Sequence, residues 1–308
     1  MPDLPKIVYF GSDAICLPGL QYLHEQACDL CTLAAVVSQP DRRQGRGKKL
    51  QQNSVAEFAS SKGIPLLQPE KPNAALADWL GAQKVALAFV MAYGHFLPKA
   101  VREAPKHGML NFHASILPAY RGASPVEAAI ALGEAETGVS LMQVVKEMDA
   151  GAVADCERVF IENVDTSPTV RIKVGQAVIT LLERNLKASL LGALTLLPQN
   201  ASLANQCRKI RKEDGALDFA QPAASIDARL RAFTPWPGGY FDHGETRIKV
   251  GKCSLVEPII SAQPGSVIVA GEILDVATGM GLLRIHELQR PGGRMLPASD
   301  FLPGYFIE

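Results

Sequence analysis

The feature that most constrains the fold of this sequence is the regular spacing of short apolar runs over residues 1–196. Six runs have the length of strands, at residues 7–10, 33–37, 64–67, 85–90, 109–113 and 139–145. The stretches between them are amphipathic and favour helices, among them one near 14–26 and a long one at 166–191. The fourth run, Val-Ala-Leu-Ala-Phe-Val, has no polar residue, as a strand covered on both faces requires. This alternation predicts βαβ units on an open, parallel-rich α/β sheet.

The pattern changes after residue 196. Residues 197–210 are rich in Pro, Asn, Ser and Gln and predict a linker. Beyond it, an amphipathic helix near 225–233 precedes short alternating runs that suit β-strands, at 247–250, 266–270 and 281–288. Strands this short and this close together are typical of a small OB-like β-barrel. We therefore predict an α/β domain over 1–196, a linker over 197–210 and a barrel domain over 211–308.

The charge balance of the chain limits its possible partners. Lys and Arg together number 31 and so do Asp and Glu, which gives 308 residues a formal net charge of zero. A polyanion would therefore have to be met by a local cluster of basic residues. No apolar run reaches the length of a membrane span, and the N-terminus lacks a signal-peptide pattern. We expect a soluble cytoplasmic protein that does not bind membranes.

The six cysteines do not point to a metal or redox site. Only Cys28 and Cys31 have the Cys-x-x-Cys spacing, and no second Cys or His pair accompanies them at the spacing of a zinc site. They fall where a predicted helix gives way to an apolar strand. We interpret them as reduced structural thiols.

A turn after the first predicted strand raises the question of a dinucleotide site. Gly11, Ser12 and Asp13 follow that strand, but the G-x-G-x-x-G pattern of a dinucleotide-binding turn is missing. We predict a plain strand-to-helix turn and no nucleotide cofactor.

Two polar residues lie at the end of the fifth apolar run. A strand over 109–113 places Asn111 and His113 on one face, close to the carboxyl end of the strand. Ligands of open α/β sheets bind in that region. A neutral amide donor beside a titratable ring suits a carbonyl that becomes an oxyanion. The pair indicates acyl-transfer chemistry, although a lone Asn-x-His is also compatible with a purely structural strand end.

A carboxylate follows the sixth run, where the chain returns to the same edge of the sheet. Asp149 lies in the sequence Met-Asp-Ala-Gly, and Gly151 permits a close backbone approach to a ligand. An ordinary Asp-x-Gly turn has the same pattern. If Asp149 reaches His113, it can orient the imidazole and handle protons. Asn111, His113 and Asp149 then form a coherent acyl-transfer site.

A basic segment follows the second predicted strand. Residues 41–49 form a glycine-rich loop that carries five cationic side chains, Arg42, Arg43, Arg46, Lys48 and Lys49. Loops of this kind are often only solvated surface. The charge cluster and the position on the ligand-binding edge of the sheet also suit contact with phosphates or RNA.

Four blocks of sequence resemble the methionyl-tRNA formyltransferase family of folate-dependent enzymes. They lie at residues 40–50, 92–98, 111–122 and 231–237 and so span both predicted domains. The Asn-x-His block and Asp149 are common to all folate-dependent formyltransferases. The basic loop and the Phe-Thr-Pro-Trp-Pro block point to the enzymes that act on tRNA.

The resemblance implies a Rossmann-like formyltransferase fold and a specific reaction. The formyl group of 10-formyltetrahydrofolate, a co-substrate, would pass to the α-amine of methionyl-initiator tRNA. The transfer would be direct, through an oxyanion and without a covalent enzyme intermediate, metal or nucleotide cofactor. By the same resemblance Asn111, His113 and Asp149 would be catalytic, and the chain would be a monomer.

The resemblance also implies binding residues for both substrates. The folate contacts would be Phe96, Leu97, Ser115, Ile116, Leu117 and Pro118. The tRNA contacts would be Arg42, Arg46, Lys48 and Lys49, and the C-terminal barrel would support the tRNA from outside. The sequence departs from the family at Ala150, where the family usually has Thr.

Three other functions are compatible with parts of the pattern. A sugar-nucleotide formyltransferase would share the donor and the three polar residues but would not need the basic loop. A non-catalytic RNA-binding protein would not need Asn111, His113 and Asp149 together. A hydrolase would release formate from the same folate.

Overall fold

The computed structural model describes residues 4–44, 49–256, 262–269, 272–305 and 307. The contacts within it divide the chain into two units. The first unit comprises residues 1–122, 137–160 and 171–206. The second comprises residues 123–136, 161–170 and 207–308.

The described residues contain eight α-helices, which punctuate the strands along the chain. They are α1 (Leu17–Glu25), α2 (Ser54–Ser61), α3 (Ala74–Ala82), α4 (Lys99–Glu103), α5 (Pro125–Ala131), α6 (Ser167–Leu191), α7 (Ala223–Phe233) and α8 (Ala298–Phe301). Short 3-10 turns lie at Ala14–Cys16, Ala201–Leu203, Lys212–Gly215 and Leu302–Gly304. None of the helices in the described part of the chain is long and apolar enough to cross a bilayer.

The strands of the first unit form one large sheet and a hairpin, and the short strand Arg121–Gly122 pairs with Gln206–Cys207 in a separate two-stranded sheet. They are β1 (Lys6–Phe10), β2 (Thr32–Val37), β3 (Arg42–Gln44), β4 (Lys49–Gln51), β5 (Leu66–Leu67), β6 (Leu87–Val90), β7 (Met109–His113), β8 (Arg121–Gly122), β9 (Glu136–Gln143) and β10 (Val153–Phe160). The large sheet has the order β10-β9-β7-β6-β1-β2-β5. Strands β5, β2, β1, β6 and β7 are parallel, and β9 joins β7 antiparallel.

The parallel strands are apolar because helices cover the sheet. Phe10, Val37 and Val90 lie in the same buried cluster as Leu80 of α3 and Val101 of α4. Continuous apolar sequence is what a parallel sheet with covered faces requires. The carboxyl ends of β1, β2, β6 and β7 consequently lie along one edge, where the connecting loops are free to carry polar side chains.

The second unit is built on an antiparallel sheet. Its strands are β12 (Gly239–His243), β13 (Thr246–Val256), β14 (Val267–Val269), β15 (Leu274–Ala277), β16 (Leu282–Gln289) and β17 (Leu296–Pro297), while β11 (Gln206–Cys207), where the two units meet in the sequence, pairs with β8 instead. The order is β12-β13-β16-β15-β14, with β17 also on β16. The register of β13 against β16 shifts twice between Val250 and Cys253, and such bulges bend a strand. Helix α7 packs Ile226 and Leu230 into the core of this curled half-barrel.

The fold predicted from the sequence is confirmed, with one correction in the basic segment. The predicted strand at 109–113 coincides with β7, and the predicted helix at 166–191 is α6 within one residue. The OB-like prediction agrees with the curled antiparallel sheet. The flanks of the predicted basic loop are instead a hairpin, in which Arg42 lies opposite Gln51 and Arg43 opposite Leu50. The reason is local: residues 42–44 and 49–51 are close enough in sequence for two short strands to pair antiparallel, and the residues that connect them lie outside the described part of the chain.

A glycine in β9 tests how tightly the sheet is packed. A Cβ at Gly138 would lie 2.4 Å from the carbonyl oxygen of Glu157 and 2.9 Å from Cγ1 of Ile116. We expect Gly138→Ala to lower the free energy of unfolding by about 1–3 kcal/mol, because neither neighbour can move freely. Gly81→Ala in α3 is the matched control, since its Cβ would meet nothing within 4 Å. Urea unfolding that shows equal stability for the two variants would contradict this packing.

Candidate active site

Asn111 and His113 lie at the carboxyl end of β7, in the interior of the large sheet. Asn111 is opposite Val90 of β6 and Met142 of β9, and His113 is opposite Ser140 of β9. The alternation of a strand places the two side chains on the same face. The structure therefore gives the pair the arrangement that the sequence predicts.

The side chain of Asn111 is the available donor of the pair. The residue is half-buried, and its amide makes no hydrogen bond with any described residue. Buried and half-buried amides usually have partners in proteins. An amide that is held in a strand but has no protein partner is free to donate to a ligand.

His113, in contrast, is enclosed between two oxygen atoms. Its side chain is only 6% exposed. Nε2 lies 2.9 Å from the carbonyl oxygen of Tyr120, and Nδ1 lies 3.6 Å from Oδ1 of Asp149. A neutral imidazole has one N–H and can serve only one of these acceptors, whereas an imidazolium has two. The ring therefore has an oxygen atom near each of its two nitrogen atoms.

Asp149 connects the loop after β9 to two other segments. Its Oδ1 faces His113, and its Oδ2 accepts a hydrogen bond of 2.9 Å from the backbone N–H of Gly122. Its backbone has φ +51°, the left-handed region that non-glycine residues seldom adopt. Such strain persists only where the surrounding structure enforces it, and it often marks a functional site. Gly151 is required nearby, since a Cβ there would lie 1.8 Å from the carbonyl oxygen of Gln143.

The loop after β7 is shaped by hydrogen bonds from within the protein. Ser115 is fully buried, and its hydroxyl donates to the carbonyl oxygen of Ala119 at 2.6 Å. Ser140 accepts a hydrogen bond from Leu117 N at 3.0 Å and donates to the Ser115 carbonyl oxygen at 2.7 Å. The Ser115 side chain is therefore committed to the loop, while Ile116, Leu117 and Pro118 are half-buried beside it.

The segment after β6 lies at the same edge of the sheet. Phe96 is 68% exposed, while Leu97 is buried. Gln39, which follows β2, donates to the carbonyl oxygen of Tyr93 at 2.7 Å and so ties this segment to the neighbouring loop. Nδ1 of His95 is buried without a hydrogen-bond partner among the described residues. The exposed ring of Phe96 is a suitable apolar surface for a flat heterocyclic ligand at this edge of the sheet.

The predicted tRNA-contacting residues divide into two groups. Arg42 and Lys49 lie at the two sides of the β3–β4 hairpin and are exposed, with Arg42 Nη2 3.2 Å from Glu70 Oε2. Arg46 and Lys48 lie outside the described residues. Arg42 and Lys49 are thus at the surface, on the two short strands that follow β2 in the chain.

Some groups of the site cannot be predicted from the sequence. The carbonyl oxygen of Tyr120 and the N–H of Gly122 are backbone groups, and a sequence shows only that a turn is present there. Ser140 is one of many serines in the chain, and its role depends on the register of β9. These groups became identifiable only through the fold.

The arrangement of the cysteines and acidic residues does not favour metal binding in the described part of the chain. No group of three or more His, Cys, Asp or Glu in the described part of the chain is placed to hold a metal ion. Cys31 is buried, and burial raises the pKa of its thiol to about 12. A thiol with so high a pKa is unreactive at neutral pH, as expected for a structural residue.

Family models match both parts of the chain. Residues 6–185 match the model described as formyl transferase, and residues 209–305 match the model described as formyl transferase, C-terminal domain. The chain belongs to the formyl transferase family. The three polar residues at the sheet edge all fall within the first match.

Curated relatives agree with this assignment over almost the full length. The methionyl-tRNA formyltransferase of Myxococcus xanthus (strain DK1622) is 38% identical over 304 residues, which cover 98% of this chain and 95% of that protein. The methionyl-tRNA formyltransferase of Marinobacter nauticus is 37% identical over 306 residues, with 97% and 96% covered. The resemblance drawn from the four sequence blocks is confirmed.

Solved structures with low sequence identity share the fold. An N-formyltransferase from Helicobacter canadensis, in complex with folinic acid and dTDP-3-aminofucose, has a TM-score of 0.67 and 18% identity and covers 93% of this chain and 99% of its own. HypX from Aquifex aeolicus, in complex with tetrahydrofolic acid, has a TM-score of 0.62 and 16% identity over 96% of this chain. This chain spans about half of the HypX chain, 46% of its length.

Ser140 provides a test of how the loop after β7 is held. We expect Ser140→Ala to lower the free energy of unfolding by about 1–3 kcal/mol, because the half-buried N–H of Leu117 and the buried carbonyl of Ser115 each lose a partner. Ser61→Ala is the control, since that hydroxyl donates to Phe58 O at an exposed helix end and its loss should cost less than about 0.5 kcal/mol. Urea unfolding measures both. A Ser140 variant as stable as the Ser61 variant would show that the bridge is unimportant.

Proposed function

We propose that this chain transfers the formyl group of 10-formyltetrahydrofolate to the α-amine of methionine on initiator tRNA. The observation that carries the proposal is the placement of Asn111, His113 and Asp149 at one sheet edge, where the Asn111 amide has no hydrogen-bond partner among the described residues. The relatives of 37–38% identity are methionyl-tRNA formyltransferases and match nearly the whole chain. That similarity supports tRNA as the carrier of the acceptor.

The residues at this edge fit a folate donor. The exposed ring of Phe96 and the buried Leu97 offer apolar surface for the pterin, beside polar groups that can fix its orientation. Ile116, Leu117 and Pro118 border the same edge from the other side of β7. Ser115 would contribute to folate binding through the shape of its loop, since its hydroxyl is used internally.

The chemical step follows from the placement of donors. Asn111 donates a hydrogen bond to the formyl oxygen as that atom gains negative charge. His113 contributes positive charge nearby, while its two N–H groups remain directed at Tyr120 and Asp149. Preorganised groups of this kind are effective because they need no rearrangement during the reaction, and the loss of one donor typically costs about 10²–10³ in rate.

The formyl group passes directly from the folate N10 to the amine, without a covalent enzyme intermediate. The neutral amine nitrogen forms a bond to the formyl carbon, and the bond from that carbon to the folate N10 breaks. The proton that the amine loses is transferred to N10, directly or through water, with the help of Asp149. Asp149 also orients the imidazole and compensates its charge.

The acceptor is distinguished by the basic hairpin. Arg42 and Lys49 in the described strands, with Arg46 and Lys48 between them in sequence, would contact the phosphates of the tRNA. A sugar-nucleotide acceptor does not require such a cluster. The structural neighbour whose title names dTDP-3-aminofucose supports only a common fold at 18% identity. We further propose that the chain acts as a cytoplasmic monomer.

One assay separates the candidate functions. Purified protein is incubated with formyl-labelled 10-formyltetrahydrofolate and either methionyl-initiator tRNA or a dTDP-amino-sugar. We expect label in methionyl-tRNA and none in the sugar. Label only in the sugar would identify the sugar-nucleotide enzyme, label released as formate would identify the hydrolase, and unreacted donor would indicate a non-catalytic RNA-binding protein.

Asp149→Asn tests the proposed role of the carboxylate. Asn adopts positive φ readily, so the loop should keep its shape. We expect single-turnover formyl transfer to slow by at least about 10², with folate affinity nearly unchanged, because the amide cannot compensate the imidazolium or help move the proton. Asp78→Asn, the same change on the exposed side of α3, is the control. A near-normal rate for Asp149→Asn would refute the assignment.

Lys49→Ala tests the role of the basic hairpin. We expect weaker tRNA binding and a shallower dependence of the binding constant on salt, by about one unit of the logarithmic slope per lost phosphate contact. Lys106→Ala removes an exposed lysine before β7, at the opposite edge of the parallel strands, and should change neither. Equal salt slopes for both variants would mean that the hairpin is only solvated surface.

A further inference from the structure

We propose that Gln199 and Asn205 are positioning residues for formyl transfer, because they clamp the Asp149 loop and the turn at 120–122 in the arrangement that the reaction needs. The inference rests on the proposed function and deepens it. Both residues lie in the segment that the sequence predicts to be a linker. Neither is near the conspicuous motifs in sequence, and each acts through hydrogen bonds to the chain around Asp149.

The side-chain amide of Gln199 makes four hydrogen bonds to the loops of the site. Its Nε2 donates to the carbonyl oxygen of Asp149 at 2.8 Å and to that of Gly151 at 2.7 Å. Its Oε1 accepts from Nε of Arg121 at 3.0 Å and from Nη2 of the same residue at 2.7 Å. A primary amide has two N–H donors and an oxygen that accepts two hydrogen bonds, so all of its capacity is used. Gln199 therefore joins the Asp149 loop to the side chain of the turn.

Asn205 holds the same turn through its backbone. Its side-chain Oδ1 accepts from the N–H of Tyr120, and its carbonyl oxygen accepts from the N–H of Arg121 at 3.0 Å. Tyr120 has φ +59°, and its carbonyl oxygen is the acceptor for Nε2 of His113. Asn205 thus fixes the residue that faces one side of the imidazole, while Gln199 fixes the residue that faces the other side.

The two amides act on backbone in left-handed conformations. Asp149 and Tyr120 both have positive φ although neither is glycine. Conformations of this kind relax unless hydrogen bonds and packing over-determine them. The contact between His113 and Asp149 spans 3.6 Å, so a modest shift of the loop would break it. A misplacement of about 1 Å in a catalytic group can cost about a hundredfold in rate.

Gln199→Glu removes the hydrogen bonds that this side chain donates while it keeps the size of the side chain. A carboxylate keeps both acceptors for Arg121 but has no N–H for the carbonyl oxygens of Asp149 and Gly151. We expect kcat to fall about tenfold to a hundredfold, with KM for folate and for tRNA little changed. Gln206→Glu is the matched control, because it places the same change at an exposed position of the same segment. Equal kcat for the two variants would overturn the proposal.

A substitution pair at Asn205 keeps the test valid if Gln199→Glu does not fold. Asn205→Asp retains an oxygen acceptor for the N–H of Tyr120, whereas Asn205→Ala does not. We expect the alanine variant to lose kcat and the aspartate variant to restore most of it. Equal loss in both, or loss in neither, would contradict a role through that hydrogen bond.

A double-variant cycle distinguishes positioning from general stability. In the Asp149→Asn background, Gln199→Glu should cost little further activity if Gln199 acts through Asp149. A merely structural role would multiply the two losses of activity.

Amide hydrogen exchange over residues 144–152 gives a readout that needs no activity, and we expect faster exchange in Gln199→Glu than in Gln206→Glu. If wild-type protein formylates no acceptor while this exchange difference holds, the proposed function fails and the clamp stands. If wild-type protein is active and the exchange is equal, the clamp alone fails.

Discussion

The geometry of the site depends on the two-sided contact of the Asp149 carboxylate. One oxygen faces Nδ1 of His113 at 3.6 Å, and the other accepts the N–H of Gly122 at 2.9 Å. The carboxylate therefore links the loop after β9 to the end of β7 and to the turn that follows it. The positive φ of Asp149 and the close approach of Gly151 to Gln143 O are consequences of bringing a carboxylate to this point.

This contact divides the work between the polar residues at the sheet edge. An oxygen atom lies near each ring nitrogen of His113, so we propose that this residue contributes charge rather than a direct donor. Asn111 has no partner among the described residues and is the group able to donate to a developing oxyanion. In the proposed mechanism, charge, donor and base come from three different residues on two elements, β7 and the loop after β9, whose arrangement depends on the antiparallel pairing of β7 with β9.

The sequence predicted the parts of the site that depend on local pattern. Strand β7 can be predicted from its apolar residues. The position of Asn111 and His113 on one face of it follows from the alternation of side chains along a strand. The antiparallel addition of β9 and the hairpin of the basic segment depend on pairing partners distant in sequence. The segment at 197–210 has the composition of a linker, and nothing local reveals that Gln199 and Asn205 bind backbone groups 48 to 85 residues away. The side-chain amides that make such contacts have no sequence signature, because Asn and Gln are also common in exposed loops without a structural role.

The proposed site is tested most directly by a crystal structure of the wild-type protein with a stable folate analogue that carries its formyl group on N10. We expect the formyl oxygen to lie within about 3.2 Å of the Asn111 amide nitrogen, a hydrogen-bond distance. We also expect Asp149 to keep its contact with Nδ1 of His113 and the hydrogen bond that it accepts from the N–H of Gly122. A formyl oxygen directed away from Asn111, or a folate bound elsewhere than beside Phe96 and Asp149, would contradict it.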